Sequence, residues 1–320
     1  MRRLIFACAA FPLLVSGCKE QAAAPDADGP KRLVVGFSQI GAESAWRTAE
    51  TESIRSEAAA RGVDLKFSDA QQKQENQVRA LRTFILQKVD AIILAPVVET
   101  GWEPVLREAK RAGIPVVLVD RGVDVEDDSL YTTLIASDFV EEGRMAGRWL
   151  AERLGGAGRI VELQGTPGSA PAIDRKRGFE EAIAEFPGMT IVRSQSGDFT
   201  RAKGKEVMEA FLKAERQKID AVYAHNDDMA LGAIQAVEEA GLKPGTDVIL
   251  VSIDGVRAAF EAMVEGKLNC TVECNPLLGP AAFDAVERAL AGETLPKWIR
   301  VEDRVFDQSV AAEVIGTRKY

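Results

Sequence analysis

Short apolar runs and helix-period segments alternate along most of the chain. Runs such as "LVVGFS", "VDLKFSD" and "DAIILAP" are followed by segments with apolar residues at helical spacing, which predict helices at Trp46–Arg61, Lys73–Lys88 and Gly101–Ala112. Continuous apolar runs are typical of parallel strands that are covered on both faces. Strand–helix alternation over this length predicts an α/β protein with right-handed crossovers. Because the series holds too many strands for one sheet, we predict two doubly wound parallel-sheet lobes.

The first residues have the pattern of an export signal. Two arginines precede the apolar run "LIFACAAFPLLV", which is too short to span a bilayer. The run ends in "VSGC", which resembles a bacterial lipoprotein cleavage box, so residues 1–17 are predicted to be a lipoprotein signal peptide and Cys18 the lipidation site. A plain signal peptide cut near Ala24 is the alternative. Residues 18–30 are small, polar and unpatterned, which predicts a flexible tether.

Charge and cysteine spacing exclude several classes of partner. The formal net charge of −9 argues against a nucleic-acid partner, because phosphate binding needs a basic surface. Cys270 and Cys274 are four residues apart in a predicted strand, which separates their Cα atoms by roughly 13 Å. A disulfide needs less than roughly 7 Å, so two free thiols are expected. With a single histidine in the chain, we expect neither a structural zinc site nor any other metal or cofactor.

Polar residues follow the predicted strands at five places. These are "SQIGAESAWR", "DRG", "GDFTR", "AHNDD" and "SIDG". In open α/β sheets, ligands bind outside the carboxyl ends of the strands, so these loops are the candidate site. In "AHNDD" two adjacent carboxylates, Asp227 and Asp228, stand beside the only histidine, His225. They are compatible with acid/base catalysis, with a ligand clamp or with the cap of a helix.

The same loops carry a family resemblance. The blocks "VVLVDRG", "IASDFVEEGRMAG", "DFTRAKG", "AHNDDMALGAIQA" and "VSIDG" resemble the ribose- and galactose-binding class of type I periplasmic binding proteins, which serve bacterial ABC transporters. The likeness covers Lys31 to Tyr320. Longer blocks such as "FSQIGAESAWRTAE" and "RSQSGDFTRAKGKEVMEAF" resemble the galactofuranose-binding members of that class.

The resemblance implies two lobes joined by a hinge. The chain is expected to cross between them three times, near Ser137, Cys274 and Arg304. Residues 31–136 and 275–303 would then form the N-terminal lobe, and residues 137–274 and 304–320 the C-terminal lobe. Such a protein closes on its ligand by hinge motion.

The resemblance also implies how a sugar is held. A sugar needs aromatic surfaces for its C–H faces and charged groups for its hydroxyls. Trp46 and Phe199 are the expected stacking faces, one from each lobe, with core packing as the alternative role. Arg47 stands where ribose-type proteins carry a second aromatic residue. It adds a donor that favours an extended furanose, such as galactofuranose, over ribose.

The remaining implied ligand contacts are charged or polar side chains at strand ends and helix starts. The full substrate-binding set is Glu43, Ser44, Trp46, Arg47, Asp120, Arg121, Asp174, Arg175, Phe199, Asn226, Asp254 and Glu273. Asp120 and Arg121 form either a clamp on the hydroxyls or a surface salt bridge. Asp174 either holds Arg175 or is an ordinary first-turn acid, and Glu273 faces either the cleft or solvent.

In the "AHNDD" loop, the resemblance assigns Asn226 to the ligand. Asp227 and Asp228 are then expected to satisfy free backbone N–H groups at the start of their helix. His225 is expected to be a packed neighbour. This interpretation favours a ligand clamp beside a helix cap over a catalytic dyad.

These features predict the substrate-binding component of an ABC sugar importer rather than an enzyme. It would bind a monosaccharide, with galactofuranose as the leading candidate, and deliver it to a permease in the inner membrane. We expect a monomeric periplasmic protein without a cofactor, whose closed form a chemoreceptor could also read.

Two other classes of function are disfavoured by the sequence. A glycosidase needs carboxyl groups that face each other at roughly 5 to 9.5 Å, whereas adjacent residues at a helix start point in different directions. A repressor of similar fold needs a helix-turn-helix ahead of the core, where this chain has a predicted signal and tether.

The lipoprotein box generates a testable prediction. Cys18→Ala should release the protein into the soluble periplasmic fraction, because the lipid attached to this residue would be the membrane anchor. Fractionation followed by mass spectrometry of the N-terminus measures both location and lipid. A wild-type protein that is already free of membranes and carries no lipid would contradict the prediction.

Overall fold

A computed structural model describes residues 32–215 and 218–320, so the predicted signal peptide, Cys18 and tether lie outside the described residues. The strands are β1 Val34–Gln39, β2 Asp64–Asp69, β3 Ala91–Leu94, β4 Val116–Val119, β5 Thr133–Ala136, β6 Ala157–Gln164, β7 Gly188–Ser196, β8 Ala221–Ala224, β9 Ile249–Asp254, β10 Cys270–Glu273, β11 Trp298–Arg300 and β12 Val305–Asp307. The α-helices are α1 Ala45–Ala60, α2 Gln74–Leu86, α3 Glu103–Arg111, α4 Phe139–Leu154, α5 Ala170–Ile183, α6 Arg201–Ala214, α7 Asp227–Glu239, α8 Arg257–Val264, α9 Gly279–Leu290 and α10 Gln308–Val314. Short 3₁₀ turns span Asp128–Leu130 and Ile315–Thr317.

The strands form two six-stranded sheets. The first has the order β11-β5-β4-β3-β1-β2 and the second the order β12-β10-β9-β8-β6-β7. Strand pairs are parallel except for β10 with β12. The predicted α/β class with two doubly wound sheets is confirmed. The chain passes from the first sheet to the second after β5, returns after β10 and passes again to the second sheet after β11.

Double winding explains the continuous apolar runs. In β3, Ile92 packs on one side of the first sheet with a cluster that includes Leu81 of α2, whereas Ile93 packs on the other side with Ile54 of α1 and Phe283 of α9. Successive strand residues point to opposite faces, and both faces are covered by helices. Helices α1, α2 and α3 begin and end within two residues of their predicted limits.

The thiols of the second sheet are unpaired, as the spacing predicted. Cys270 lies in β10 and Cys274 directly follows it, and both are free and buried. Burial raises the pKa of both thiols well above the usual range. They are therefore neutral at physiological pH.

Helices α4 and α5 touch at backbone distance. A Cβ atom added to Gly178 of α5 would lie 1.9 Å from the carbonyl oxygen of Val140, and one added to Gly143 of α4 would lie 2.2 Å from the carbonyl oxygen of Arg175. Only glycine permits this approach, which fixes the middle of α5 against α4. The side chain of Arg175 is positioned by this contact.

The contact predicts a large effect of a small change. Gly178→Ala should lower the free energy of unfolding by roughly 1–3 kcal/mol or more, because the methyl group forces the two helices apart. Chemical denaturation of the ligand-free protein measures the change. Gly316→Ala is the control, since a Cβ there has no atom within 4 Å. Equal stability of the two variants would show that the helices accommodate the methyl group without moving apart.

Candidate ligand-binding site

A cavity lies where the carboxyl ends of the two sheets meet. Its lining residues are Glu43, Ser44, Trp46, Arg47, Asp120, Arg121, Pro171, Arg175, Phe199, Asn226, Asp254 and Cys274. Asp120 directly follows β4, and Asp254 ends β9, so each sheet contributes strand-end residues. The space open to the centre of a water molecule is about 20 Å³, little more than one water needs. The two sides of the cavity are therefore almost in contact in this conformation.

The cavity brings together every predicted site residue except Asp174 and Glu273. Asp174 lines a neighbouring cavity and pairs with Arg177 at 2.9 Å. Glu273 accepts hydrogen bonds from Arg318 at 2.7 Å and from the hydroxyl of Tyr320 at 3.2 Å. Both carboxylates are thus directed away from the residues that surround the cavity.

Sequence reasoning missed Pro171 and Cys274 as lining residues. Cys274 follows the carboxyl end of β10, a position that would have suggested it, whereas Pro171 is an apolar residue in the first turn of α5 and gave no signal.

Arg47 is held by three carboxylates. Its Nε donates to Glu43 at 3.0 Å, one terminal nitrogen donates to Asp120 at 2.6 Å, and the other donates to Glu50. Burial alone would lower the pKa of Arg47, but the charges of Asp120, Glu50 and Glu43 raise it well above the usual value. The guanidinium is permanently charged and its orientation is fixed from three sides.

Arg121 has an N–H group without an acceptor among the described residues. One terminal nitrogen donates to the carbonyl oxygen of Val97 at 2.9 Å, and its Nε lies 3.5 Å from Asp120 without a hydrogen bond among the described residues. Burial lowers the pKa of Arg121 to about 10, and the nearby charge of Arg47 adds to this effect. Asp120 and Arg121 are 5% and 2% exposed. The alternative of a surface salt bridge is therefore wrong.

The two aromatic residues belong to the cavity wall and also pack into the core. The indole nitrogen of Trp46 donates to the carbonyl oxygen of Cys274 at 2.6 Å. Phe199 faces the guanidinium of Arg121, whose Cζ lies 5.3 Å from the ring centroid. Both rings are also part of the large hydrophobic cluster of the second sheet. Trp46 and Phe199 therefore line the cavity and pack in the core at the same time.

Arg175 has a similar anchor on the side of the second sheet. Its Nε donates to Glu142 at 2.7 Å and a terminal nitrogen donates to the carbonyl oxygen of His225 at 2.6 Å, while Asp254 lies 3.8 Å away. The His225 ring is fully buried and bonds Glu162 at 3.0 Å. His225 is a packed neighbour, as predicted, and its main chain helps to orient the arginine.

The two aspartates after β8 have different partners from those expected, and the cap of the helix is the asparagine before them. Asn226 caps α7, because its Oδ1 accepts from the backbone N–H of Met229 at 3.0 Å, and its Nδ2 donates to the carbonyl oxygen of Phe199 at 3.1 Å. Asp227 and Asp228 occupy the first turn of α7, as predicted. The prediction that they satisfy the N–H groups of that helix is wrong, because Asn226 does so.

Instead, the two carboxylates point to opposite sides. Asp227 accepts from the hydroxyl of Ser252 at 2.5 Å and from the backbone N–H groups of Gly255 and Val256, both at 2.8 Å. It therefore holds the loop after β9. Asp228 accepts from the backbone N–H of Ala45, at 2.8 Å, on the side of the first sheet. The two groups do not face a common point, as a catalytic pair would.

Three residues that line the cavity have a strained backbone. Asp120, Phe199 and Asp254 have φ values of 61°, 60° and 133°, which residues other than glycine rarely adopt. Each such backbone conformation lowers the stability of the fold by about 1–3 kcal/mol, and it persists only where the surrounding contacts enforce it. Gly165 makes room for Phe199, since a Cβ at this glycine would lie 1.9 Å from the ring. Strained residues at a polar cavity are typical of a ligand-binding site.

Comparisons with known proteins identify the family of the chain. A profile of the periplasmic binding protein domain matches residues 35–294. The galactofuranose-binding protein YtfQ of Escherichia coli (strain K12) is 57% identical over 268 residues, which cover 83% of this chain and 84% of the relative. A solved binding protein of the arabinose ABC transporter from Shewanella sp. ANA-3, bound to α- and β-L-arabinofuranose, is 58% identical with a TM-score of 0.88, over 89% of this chain and 95% of that one. A crystal structure of a galactofuranose binding protein is 54% identical with a TM-score of 0.88, over 90% and 98%.

The chain belongs to the periplasmic binding protein family. The predicted type I fold of that family is confirmed, and the chain is a periplasmic binding protein rather than an enzyme. Among the described helices, none is long and apolar enough to cross a membrane. Residues 32–215 and 218–320 contain no cluster of three histidine, cysteine, aspartate or glutamate side chains that could hold a metal ion.

The carboxylate cluster around Arg47 generates a prediction about pH. Burial raises the pKa of Glu50 from 4.5 to about 7, with Asp120 adding to the effect and Arg47 opposing it. Between pH 4.5 and about 7 the folded protein therefore retains a proton that the unfolded chain releases. The free energy of unfolding falls as the pH rises through this range. At 1.36 kcal/mol per pKa unit, the ionisation of Glu50 should lower the free energy of unfolding by up to roughly 3 kcal/mol.

Glu50→Gln should flatten this pH dependence, because the amide mimics the protonated acid at every pH. Denaturant unfolding of the ligand-free protein at pH 5 and pH 8 measures the slope. Glu52→Gln, an exposed position on the same helix, is the matched control and should keep the wild-type slope. Identical slopes for both variants would show that Glu50 does not titrate in this range.

Proposed function

We propose that the protein is the substrate-binding component of an ABC sugar importer, which captures a furanose in the cavity and delivers it to a permease in the inner membrane. The observation that carries the proposal is the composition of the cavity. Two aromatic faces, three buried arginines and two strand-end aspartates meet there. This set supplies apolar surface for a sugar ring together with donors and acceptors for its hydroxyls.

The roles of the side chains follow from the bonds that they already make. Arg47 and Arg175 are fixed by carboxylates, so they can donate to a ligand without losing conformational freedom on binding. The Nε of Arg121 lacks a hydrogen-bond partner in the described part of the chain and is a free donor to a hydroxyl. Asp120 and Asp254 supply acceptors on the two sides of the cavity. A neutral polyhydroxylated ligand matches this balanced set.

The binding cycle requires the two lobes to move. A cavity this narrow admits a sugar only after its sides have separated. We assign residues 31–136 and 275–303 to one lobe and residues 137–274 and 304–320 to the other, with crossings near Ser137, Cys274 and Arg304. The hydroxyl of Ser137 donates to Asp303 at 2.9 Å, which links two of these crossings. Closure by hinge motion would enclose the sugar.

The proposal includes the state of the protein in the cell envelope. It would act as a monomer that is tethered through a lipid on Cys18. The permease, and in addition a chemoreceptor, would bind its closed form. The lipoprotein box supports the anchor, and the monomeric state and the two partners are what membership of the family implies.

Galactofuranose is the proposed ligand, with arabinofuranose as the alternative furanose. Relatives at 57% and 58% identity are named for binding galactofuranose and L-arabinofuranose, whereas the ribose import binding protein of Bacillus subtilis (strain 168) is 34% identical. The fixed donor at Arg47 offers a physical reason. Each terminal nitrogen of Arg47 has a second N–H group besides the one that bonds a carboxylate. A pentopyranose that places no hydroxyl near such a group leaves it unpaired in a desolvated cavity, which costs roughly 1–3 kcal/mol.

Calorimetry on the mature protein tests the ligand. Galactofuranose should bind at least about ten-fold more tightly than ribose, and Arg47→Phe should narrow that gap. Because Arg47→Phe also leaves three carboxylates without their partner, Arg47→Lys serves as a second variant that keeps the charge but lacks the planar fork. Arg107→Phe, at an exposed arginine paired with Glu103, is the control and should retain both affinities. Ribose binding as tight as that of galactofuranose would overturn the ligand assignment.

A further inference from the structure

Asp228 makes a direct contact between the two halves of the structure. Its Oδ2 accepts a hydrogen bond of 2.8 Å from the backbone N–H of Ala45. Asp228 lies in α7 beside the second sheet, whereas Ala45 begins α1, which packs on the first sheet. The side chain of Asp228 is only 9% exposed. The carboxylate is therefore enclosed at the junction of the two lobes.

The donor is the free end of a helix. Ala45 is the first residue of α1, and its N–H has no acceptor within that helix. Ser44 caps the same end by accepting from the backbone N–H of Arg47 at 3.1 Å, so Asp228 supplies a second cap from the other lobe. A carboxylate at a helix N-terminus is also favoured by the helix dipole. The helix capped in this way carries Trp46 and Arg47, which line the cavity.

The other oxygen of Asp228 is held within its own lobe. Arg201, the first residue of α6, donates to Oδ1 from Nε at 3.2 Å and from a terminal nitrogen at 3.1 Å. Helices α6 and α7 touch at backbone distance, since a Cβ on Gly232 would lie 2.1 Å from the carbonyl oxygen of Arg201. The pair of Asp228 and Arg201 therefore moves as one body. When the lobes part, Asp228 keeps this partner and only the bond to Ala45 is lost.

We propose that Asp228 is a positioning residue for ligand binding, which caps α1 across the cleft when the lobes close. The cap holds Trp46 and Arg47 over the ligand and stabilises the closed form relative to the open form. This inference rests on the proposed function, because it concerns the same cavity. Its effect falls on ligand release, since the bond exists only after closure.

The donor can be removed without disturbing the helix. Proline is favoured at the first helical position, where its missing N–H has no partner in the helix. Ala45 is exposed, and the preceding Ser44 has φ −143° and ψ 163°, the extended conformation that a following proline requires. Ala45→Pro therefore deletes the donor, and Asp228→Asn weakens the acceptor while it retains the size of the side chain.

Each single variant should raise the Kd for the bound sugar by roughly 3- to 30-fold, mainly through faster release. The double variant should bind no more weakly than the worse single variant, because both changes remove one bond. Thermal unfolding of the ligand-free Ala45→Pro variant should change little, because Asp228 keeps its bonds to Arg201 in that variant. A purely structural role of the bond to Ala45 would instead lower the melting temperature. Glu206→Gln is the control, since Glu206 is exposed on α6 and pairs with Lys203 in the same lobe. It should bind like wild type.

The outcomes separate this inference from the proposed function. Wild-type binding with unchanged release in Ala45→Pro, or strictly additive losses in the double variant, would overturn the cap and leave the sugar-binding function in place. If the wild type binds no furanose, the proposed function fails and closure is measured without ligand. Spin labels at the exposed positions Leu86 and Val264, one on each lobe, report the distance between the lobes. An identical distance distribution in wild type and Ala45→Pro would then overturn the cap.

Discussion

The guanidinium of Arg175 lies buried between α4 and the carboxyl ends of β8 and β9, and its charge must be balanced there. A buried charge without partners is among the least favourable features a protein can contain. Glu142 on α4, the carbonyl of His225 and the nearby Asp254 provide that balance. Arg47 imposes the same requirement on the side of the first sheet. The packing of the helices and the ends of the strands are arranged around these two cations.

The elements that carry the partners are held rigidly. Glycines bring α4 against α5 and α6 against α7, so the first turns of these helices have little freedom to shift. The left-handed backbone at Asp120, Phe199 and Asp254 places their side chains where regular strands would not. Strain of this kind is retained where surrounding contacts dictate it. The result is a set of donors and acceptors that is oriented before any ligand arrives.

Much of this arrangement could be predicted from the sequence. The apolar runs gave the strands, and polar residues at strand ends together with the family resemblance identified the cavity wall. Asp174 and Arg175 show the limit, because neighbours on a helix point about 100° apart and only the packing of α5 decides which one faces the cavity. Glu50 was missed because an acidic residue in a helix resembles a solvated surface position. The bond between Asp228 and Ala45 joins residues 183 positions apart, for which no local pattern exists.

The charges of the cavity have a consequence for the medium in which the protein works. Arg47, Arg121 and Arg175 and their carboxylate partners are buried, so dissolved ions screen them far less than surface pairs. A neutral sugar brings no net charge to the cavity and releases no counterions on binding. Its affinity should therefore vary little with ionic strength. A protein of the periplasm, which lies outside the inner membrane, could then capture its sugar equally well in dilute and in saline surroundings.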